Sequence, residues 1–232
     1  MIKHTTSIEL VQLLRPFVFV IVLFFGGGSV AMAACKEDPT PSWFIPSDAD
    51  VQYQLAERLW SGDDCYVQDY SRSAKLYRLS AEQGYAPAQV ELGLFYAFGL
   101  MVPEDKVKAS NWYRLAAEQG YADGQVQLAN AYRFGDGVLQ NYQEAARWSR
   151  LAAEQGNSSG QFNLGYMHRE GQGVLQDNVW AHMWFNIASA NGEGAGSRGR
   201  DELASTMASG EIAMAQTMAR ECMSSGYTKC GY

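Results

Sequence analysis

Apolar residues recur with a helical period along most of this chain. In residues 121–134, Val126, Leu128, Ala131 and Tyr132 fall at spacings of about 3.6 residues, the mark of an amphipathic helix. Gly135-Asp136-Gly137 breaks the run, since glycine tolerates the positive φ that a tight reversal needs. Asn141 then offers a helix N-cap. Tyr142, Ala145, Trp148, Ser149 and Ala152 form a second stripe, which Gly156 closes as a left-handed C-terminal residue. The predicted unit is two helices joined by a short turn.

That unit recurs. Ala-Glu-Gln-Gly ends at Gly84, Gly120 and Gly156, a degenerate copy ends at Gly192, and each interval is 36 residues. The predicted copies are 49–84, 85–120, 121–156 and 157–192. Column by column they share a first-helix leucine (Leu55, Leu92, Leu128, Leu164) and a turn glycine (Gly62, Gly99, Gly135, Gly171). They also share a second-helix cap (Asp69, Asp105, Asn141, Asp177) and small residues at Ala109, Ala145 and Ala181. Trp112, Trp148 and Trp184 form a large aromatic column, with Leu76 in its place in the first copy. One pair cannot bury its apolar stripe alone, so neighbouring pairs must stack into a superhelix.

Two copies depart from the pattern. The first carries an extra residue in its turn, Asp63-Asp64-Cys65-Tyr66. In the second, Gly99-Leu100-Met101-Val102-Pro103 lacks the second glycine, and Met101 would be strained at positive φ. That loop must either take another path or expose apolar side chains; a slightly re-routed loop is the simpler expectation.

The fourth copy reads Leu164-Gly165-Tyr166, then Gly171-Gln172-Gly173-Val174-Leu175-Gln176-Asp177, then Ala181 and Trp184-Phe185, and the third ends Ala-Ala-Glu-Gln-Gly at Gly156. In register over residues 49–192, these motifs closely resemble the Sel1-like repeat, which is related to the tetratricopeptide repeat. The resemblance implies an all-α, right-handed α-solenoid of antiparallel helix pairs. Arg200-Asp201-Glu202-Leu203-Ala204, leading to Ile212-Ala213 and on to Ala219-Arg220, is similar to the terminal helices that close bacterial members. Residues 196–224 would then be a capping pair within a C-terminal stretch of 193–232. The family likeness also implies a non-enzymatic adaptor for another protein or peptide, in signalling, envelope-complex assembly or exopolysaccharide regulation. An alternative implied by cysteine-rich relatives is an envelope hydrolase of the β-lactamase type. Those relatives carry paired cysteines within their repeats, whereas here the four copies hold only Cys65.

The beginning of the chain reads as an export signal. Lys3 and Arg15 precede an apolar run from Phe17 to Phe25, then Gly26-Gly27-Gly28 and Ala31-Met32-Ala33. Nine apolar residues fall short of the roughly 20 that span a bilayer. Residues 1–33 are therefore expected to be a signal peptide and 34–48 an N-terminal extension of a periplasmic or secreted protein. Ala33-Ala34-Cys35 also resembles a lipoprotein box. Lipidating Cys35 would leave an odd number among Cys65, Cys222 and Cys230, so a soluble form with structural disulfides is favoured. Cys222 with Cys230 and Cys35 with Cys65 is the expected pairing, because Ser224-Ser225-Gly226-Tyr227 can turn the chain between the last two.

Charge narrows the partner. The formal net charge is −7, and loss of Lys3, Glu9 and Arg15 with the signal makes it one unit more negative. An acidic chain repels nucleic acid and anionic lipid. Neither is expected as a partner, and membrane insertion after cleavage is not expected unless Cys35 is lipidated. No cofactor or metal is expected: His168 and His182 lack accompanying ligands, and the Gly-x-Gly pairs join helix to helix rather than strand to helix. No serine stands in a Gly-x-Ser-x-Gly context, so no catalytic residue is assigned.

What is left is a surface. In helix-pair solenoids the first helices line the concave side. With the recurring leucine inward, groove-facing residues lie five and two before it and two and five after it. This selects Asp50, Tyr53, Glu57 and Trp60, then Val90, Leu94 and Ala97, then Val126, Asn130 and Arg133, then Phe162, Tyr166 and Arg169. Packing against a neighbouring helix explains Val90, Val126 and Phe162 equally well. The candidate partner-binding residues are Tyr53, Glu57, Trp60, Leu94, Asn130, Arg133, Tyr166 and Arg169, with aromatic and arginine types enriched at binding hot spots.

Overall fold

Starts and stops that recur at the repeat interval produce helices of identical length. In the computed structural model, which describes residues 41, 43–63 and 65–230, the four predicted copies contain eight helices of 13 residues each. They are α1 (Ala49–Ser61), α2 (Tyr70–Glu82), α3 (Ala86–Phe98), α4 (Lys106–Glu118), α5 (Ala122–Phe134), α6 (Tyr142–Glu154), α7 (Ser158–Glu170) and α8 (Asn178–Ala190). Two more follow, α9 (Gly194–Ala204) and α10 (Ser209–Ser224). The described residues contain no strand. The expected export signal (residues 1–33) and the lipidation candidate Cys35 lie outside the described residues, as does Asp64 of the enlarged first turn.

The second helices begin where their caps say they should. Side chains of Asp69, Asp105, Asn141 and Asp177 accept hydrogen bonds from the backbone N–H groups of Arg72, Lys108, Glu144 and Trp180 respectively. Between hairpins, Leu92, Leu128 and Leu164 are fully buried and Leu55 nearly so. Trp148 and Trp184 are buried, as is Leu76, whereas Trp112 is only half-buried and packs beside Ala81, Ala88 and Leu92.

The Gln of the recurring Ala-Glu-Gln-Gly has a partner that the apolar pattern does not reveal. Gln83, Gln119 and Gln155 each donate a 2.8 Å hydrogen bond to a first-helix glutamine, respectively Gln52, Gln89 and Gln125. Asn191 does the same for Gln161 at 2.9 Å. Gln89, Gln125 and Gln161 in turn donate to the carbonyls of Ala81, Ala117 and Ala153 in the preceding hairpin. All four first-helix glutamines are buried, so each rung joins its own two helices and, in three cases, the hairpin before it.

Curvature follows from which helices approach. From α3 onward, alternate helices touch (α3 with α5, α5 with α7, α7 with α9), while α1 with α3, and α2, α4, α6 and α8 among themselves, meet no contact of that extent. The first helices therefore form the inner rank. Gly137 and Gly173 draw adjacent units together: a Cβ at either would lie 1.9–2.0 Å from the carbonyl oxygen of Lys106 or Tyr142.

At the equivalent place in the second copy, Met101 keeps the left-handed backbone, φ 59°, rather than re-routing the loop. The loop keeps its geometry and exposes Leu100 and Met101. A side chain cannot approach a backbone as glycine does, and a cavity of about 220 Å³ lies where Met101 and Val102 face Ser71 and Ala74.

The last two helices do not repeat the hairpin. Both α9 and α10 pack on α8 rather than on each other. A narrow face of α10 (Ala215, Ala219, Cys222) joins a core with Leu164, Met183, Trp184 and Ile187. Cys222 and Cys230 stand at disulfide distance, with Cα atoms 4.4 Å apart. Between them Tyr227 lies over Gly156, and its hydroxyl accepts a 2.7 Å hydrogen bond from Asn191. Cys65 is disulfide-bonded; its expected partner, Cys35, is outside the described residues.

Candidate functional site

The inner face is set by the rotation of each first helix about its axis. Val90 and Val126 are buried, and the accessible stripe passes instead through Glu91, Leu94 and Phe98 on α3 and Gln127, Asn130 and Phe134 on α5. This i, i+3, i+7 stripe is one position away from part of the expected column. Glu91, Phe98 and Phe134 were therefore outside the sequence-selected set. Their signal is the recurrence of an accessible residue just before the buried leucine and six after it.

The eight candidate residues divide into three groups. In the first hairpin, Tyr53 packs against Tyr77 and Tyr85 at 5.7 and 5.3 Å between ring centroids, and Trp60 packs against Phe95 at 5.2 Å. These rings are half-buried members of a core cluster. Glu57 is exposed and accepts a short hydrogen bond from the Tyr77 hydroxyl.

In the middle, Leu94 and Asn130 line an open cavity of about 520 Å³ between α3 and α5. Tyr113 of α4 also lines it, and Phe98 and Phe134, 69% and 60% exposed, stand beside it. Lys106 and Asp136 line the same cavity and pair at 2.7 Å. Asn130 accepts a 3.0 Å hydrogen bond from Asn163.

Further along, Arg133, Tyr166 and Arg169 come together. The Arg133 guanidinium lies 4.1 Å from the Tyr166 ring centroid and 4.7 Å from that of Phe134. Arg169 lies 4.9 Å from the Tyr166 centroid and pairs with Glu170 at 2.8 Å and Glu202 at 3.6 Å. Phe162 is half-buried against Phe185, 5.5 Å between centroids.

Charge is unevenly placed along this face. Burial, followed by the charges of Glu57 and Asp123, raises the Glu91 carboxyl above its ordinary pKa. Among the described residues, no Lys or Arg lies within ion-pair distance of Glu57, Glu91 or Asp123. Burial, then Asp123, pushes the Tyr121 phenol up to about 12, and burial followed by Glu91 raises that of Tyr113. These phenols remain protonated donors at physiological pH.

His168 and His182 are core residues. His168 is buried, stacks on Trp180 at 5.6 Å, and its Nδ1 lies 3.2 Å from the Leu175 carbonyl, an arrangement that suits a donating N–H. Burial lowers its pKa and that of the equally buried His182. Among the described residues, no trio of His, Cys, Asp or Glu stands where it could hold a metal ion. The inner face thus carries an open cavity of mixed polar and apolar lining, carboxylates without an ion-pair partner among the described residues, and a guanidinium beside aromatic rings.

Comparison with known proteins agrees with this architecture. A Sel1 repeat family model matches four times in tandem, at residues 49–85, 86–121, 122–157 and 158–193. A Sel1 repeat protein from Oxalobacter formigenes is 33% identical over 62% of this chain and 42% of its own length, with a TM-score of 0.56. The protective antigen c5321 of uropathogenic Escherichia coli, which displays an SLR fold, is 26% identical over 79% of this chain and 55% of its own, with a TM-score of 0.41. The chain spans about half the length of these solved relatives. No curated protein matches. With four tandem matches spanning residues 49–193, and with the helix pairs that such matches require, the chain belongs to the Sel1 repeat family.

Proposed function

We propose that this protein is a non-enzymatic scaffold of the bacterial periplasm or envelope that holds a peptide segment or domain of another protein against its first helices. Sel1 repeats generally mediate protein–protein interaction, and a stack of equal hairpins supplies a continuous surface for it. The observation that carries the reading is the open cavity of about 520 Å³ on the inner face, flanked by the exposed rings of Phe98 and Phe134. Exposed aromatic side chains beside a cavity have the character of binding anchors. Export is supported by the order of charged, apolar and small residues before Cys35 and by the Cys222–Cys230 pair, which suits an oxidising compartment. Among the described residues no helix is long and apolar enough to cross a membrane. No observation favours the hydrolase alternative.

The test is co-purification from the native host with Arg133→Glu/Arg169→Glu beside the unaltered chain. Loss of a stoichiometric partner with unchanged helical circular dichroism is expected. Full retention of that partner would remove the inner face from the account.

A further inference from the structure

We infer that the inner face is a dipolar cradle for one kind of partner segment: a bulky apolar side chain standing between a basic residue and an acidic one. The inference rests on the first-helix face being the binding surface, and adds the chemistry of what it takes.

The cavity sets the centre. It lies between α3 and α5, lined by Leu94 and Tyr113 and flanked by Phe98 and Phe134. At about 520 Å³ it is within the range of about 300–1,000 Å³ typical of ligand sites. It is open to solvent, which suits a side chain arriving on a strand of backbone.

One side of the cavity asks for a cation. Glu91 sits one helical turn before Leu94, and its charge is felt together with those of Glu57 and Asp123. Glu57 and Asp123 each accept a hydrogen bond, from Tyr77 and Asn157 respectively. Among the described residues Glu91 has no hydrogen-bond or ion-pair partner. An ammonium or guanidinium placed there would pair with Glu91 and offset the repulsion that Glu57 and Asp123 exert on it.

The other side asks for an anion. Arg133 follows Asn130 by one turn and stacks between Phe134 and Tyr166. Unlike Arg169, which pairs with Glu170 and Glu202, it has no carboxylate within ion-pair distance among the described residues. Stacking holds the guanidinium plane while leaving its N–H fork available for a bidentate carboxylate. Glu91 and Arg133, opposite charges without an ion-pair partner among the described residues, thus stand one turn beyond the cavity-lining Leu94 and Asn130. Glu104 and the paired Lys106 and Asp136 line the cavity itself. A segment of another chain with the complementary order satisfies both Glu91 and Arg133.

The experiment is selection of phage-displayed random 12-residue peptides on the full chain, with Glu91→Lys, Glu91→Gln, Arg133→Glu and Phe134→Ala selected in parallel and checked by circular dichroism. The expected binders carry an aromatic or large aliphatic residue between a basic and an acidic one, enriched at least tenfold. Both Glu91 variants should lose the basic preference, Arg133→Glu the acidic preference, and Phe134→Ala the apolar one. Binders that depend on Phe134 but show no charge preference would overturn this chemistry and leave the groove reading standing. Failure to select binders, or binders indifferent to all four variants, would overturn both. Sedimentation showing a dimer that Phe134→Ala dissociates would assign the face to a second copy and overturn the inference.

Discussion

The guanidinium of Arg133 lies 4.1 Å from the ring centroid of Tyr166, although the two residues belong to successive first helices, α5 and α7. This contact ties the inner faces of two hairpins together at the surface rather than in the core. Exposed cation–π contacts contribute about 0.5–1 kcal/mol. Arg133→Ala should therefore lower stability in urea by no more than about 1 kcal/mol while abolishing partner binding. Urea titration followed by circular dichroism, run beside the binding assay, separates these effects; a large stability loss would make Arg133 a structural residue.

Glutamine rungs should matter more to folding. Gln125, itself buried, accepts from the exposed Gln155 and donates to the Ala117 carbonyl. Gln125→Leu removes both side-chain hydrogen bonds, each contributing about 0.5–1.5 kcal/mol, while the Gly120 N–H still donates to the Ala117 carbonyl and Gln155 still donates to the Leu151 carbonyl. The urea midpoint should fall accordingly. An unchanged midpoint would mean that the rungs are incidental to hairpin stacking.

The turns offer a paired test. Gly137→Ala places a Cβ 1.9 Å from the Lys106 carbonyl oxygen at φ 73°, so the third turn must separate from α4. A thermal-melt loss equivalent to more than about 2 kcal/mol is expected, in the range of overpacked and strained sites. Met101→Gly should move the melt the other way, by at most about 1 kcal/mol. A left-handed non-glycine residue costs about 1–2 kcal/mol, partly offset by the entropy of glycine.

Two sites respond to pH with opposite signs. Burial raises the folded-state pKa of Glu91 above its ordinary 4.5, so its charge opposes folding at neutral pH. Glu91→Gln should melt higher than the unaltered chain at pH 7. The gap should narrow as pH falls through the raised pKa and vanish below about 4.5. For His168 burial lowers the pKa below the ordinary 6.5. The unfolded chain then takes up the proton first, and stability is lost as pH falls from 6.5 towards the folded value. A nuclear magnetic resonance titration of the His168 ring should accordingly give a midpoint below 6.5; a midpoint above it would contradict the burial account.

Features that repeat along one helix were legible in the sequence. The caps Asp69, Asp105, Asn141 and Asp177, the leucine column and the stopping glycines all act within a few residues of where they stand. Arg133 and Arg169 stood out in the sequence because they lie one repeat apart, but their convergence on the Tyr166 ring did not, since Tyr166 has no aromatic counterpart at Asn130 one repeat earlier. Helix rotation was not, because neighbours set it. A Cβ at Gly93 would lie 2.4 Å from the Tyr113 ring, and one at Gly124 would lie 2.6 Å from the Ala116 Cβ. Those close approaches turn α3 and α5 so that Glu91, Phe98 and Phe134 face out while Val90 and Val126 face in. Nor does any local pattern foretell that α10 lies on α8, or that Tyr227 reaches Gly156 seventy-one positions earlier in the chain.

The most direct measurement is site-specific photocrosslinking in the native host. A benzophenone amino acid would replace Phe134, beside the inner cavity, or Leu139, 91% exposed on the following turn. The account predicts one dominant crosslinked protein from position 134, lost when Glu91→Lys and Arg133→Glu are combined, and little from position 139. Equal crosslinking from both positions, or a product from 134 that survives the double charge reversal, would contradict it.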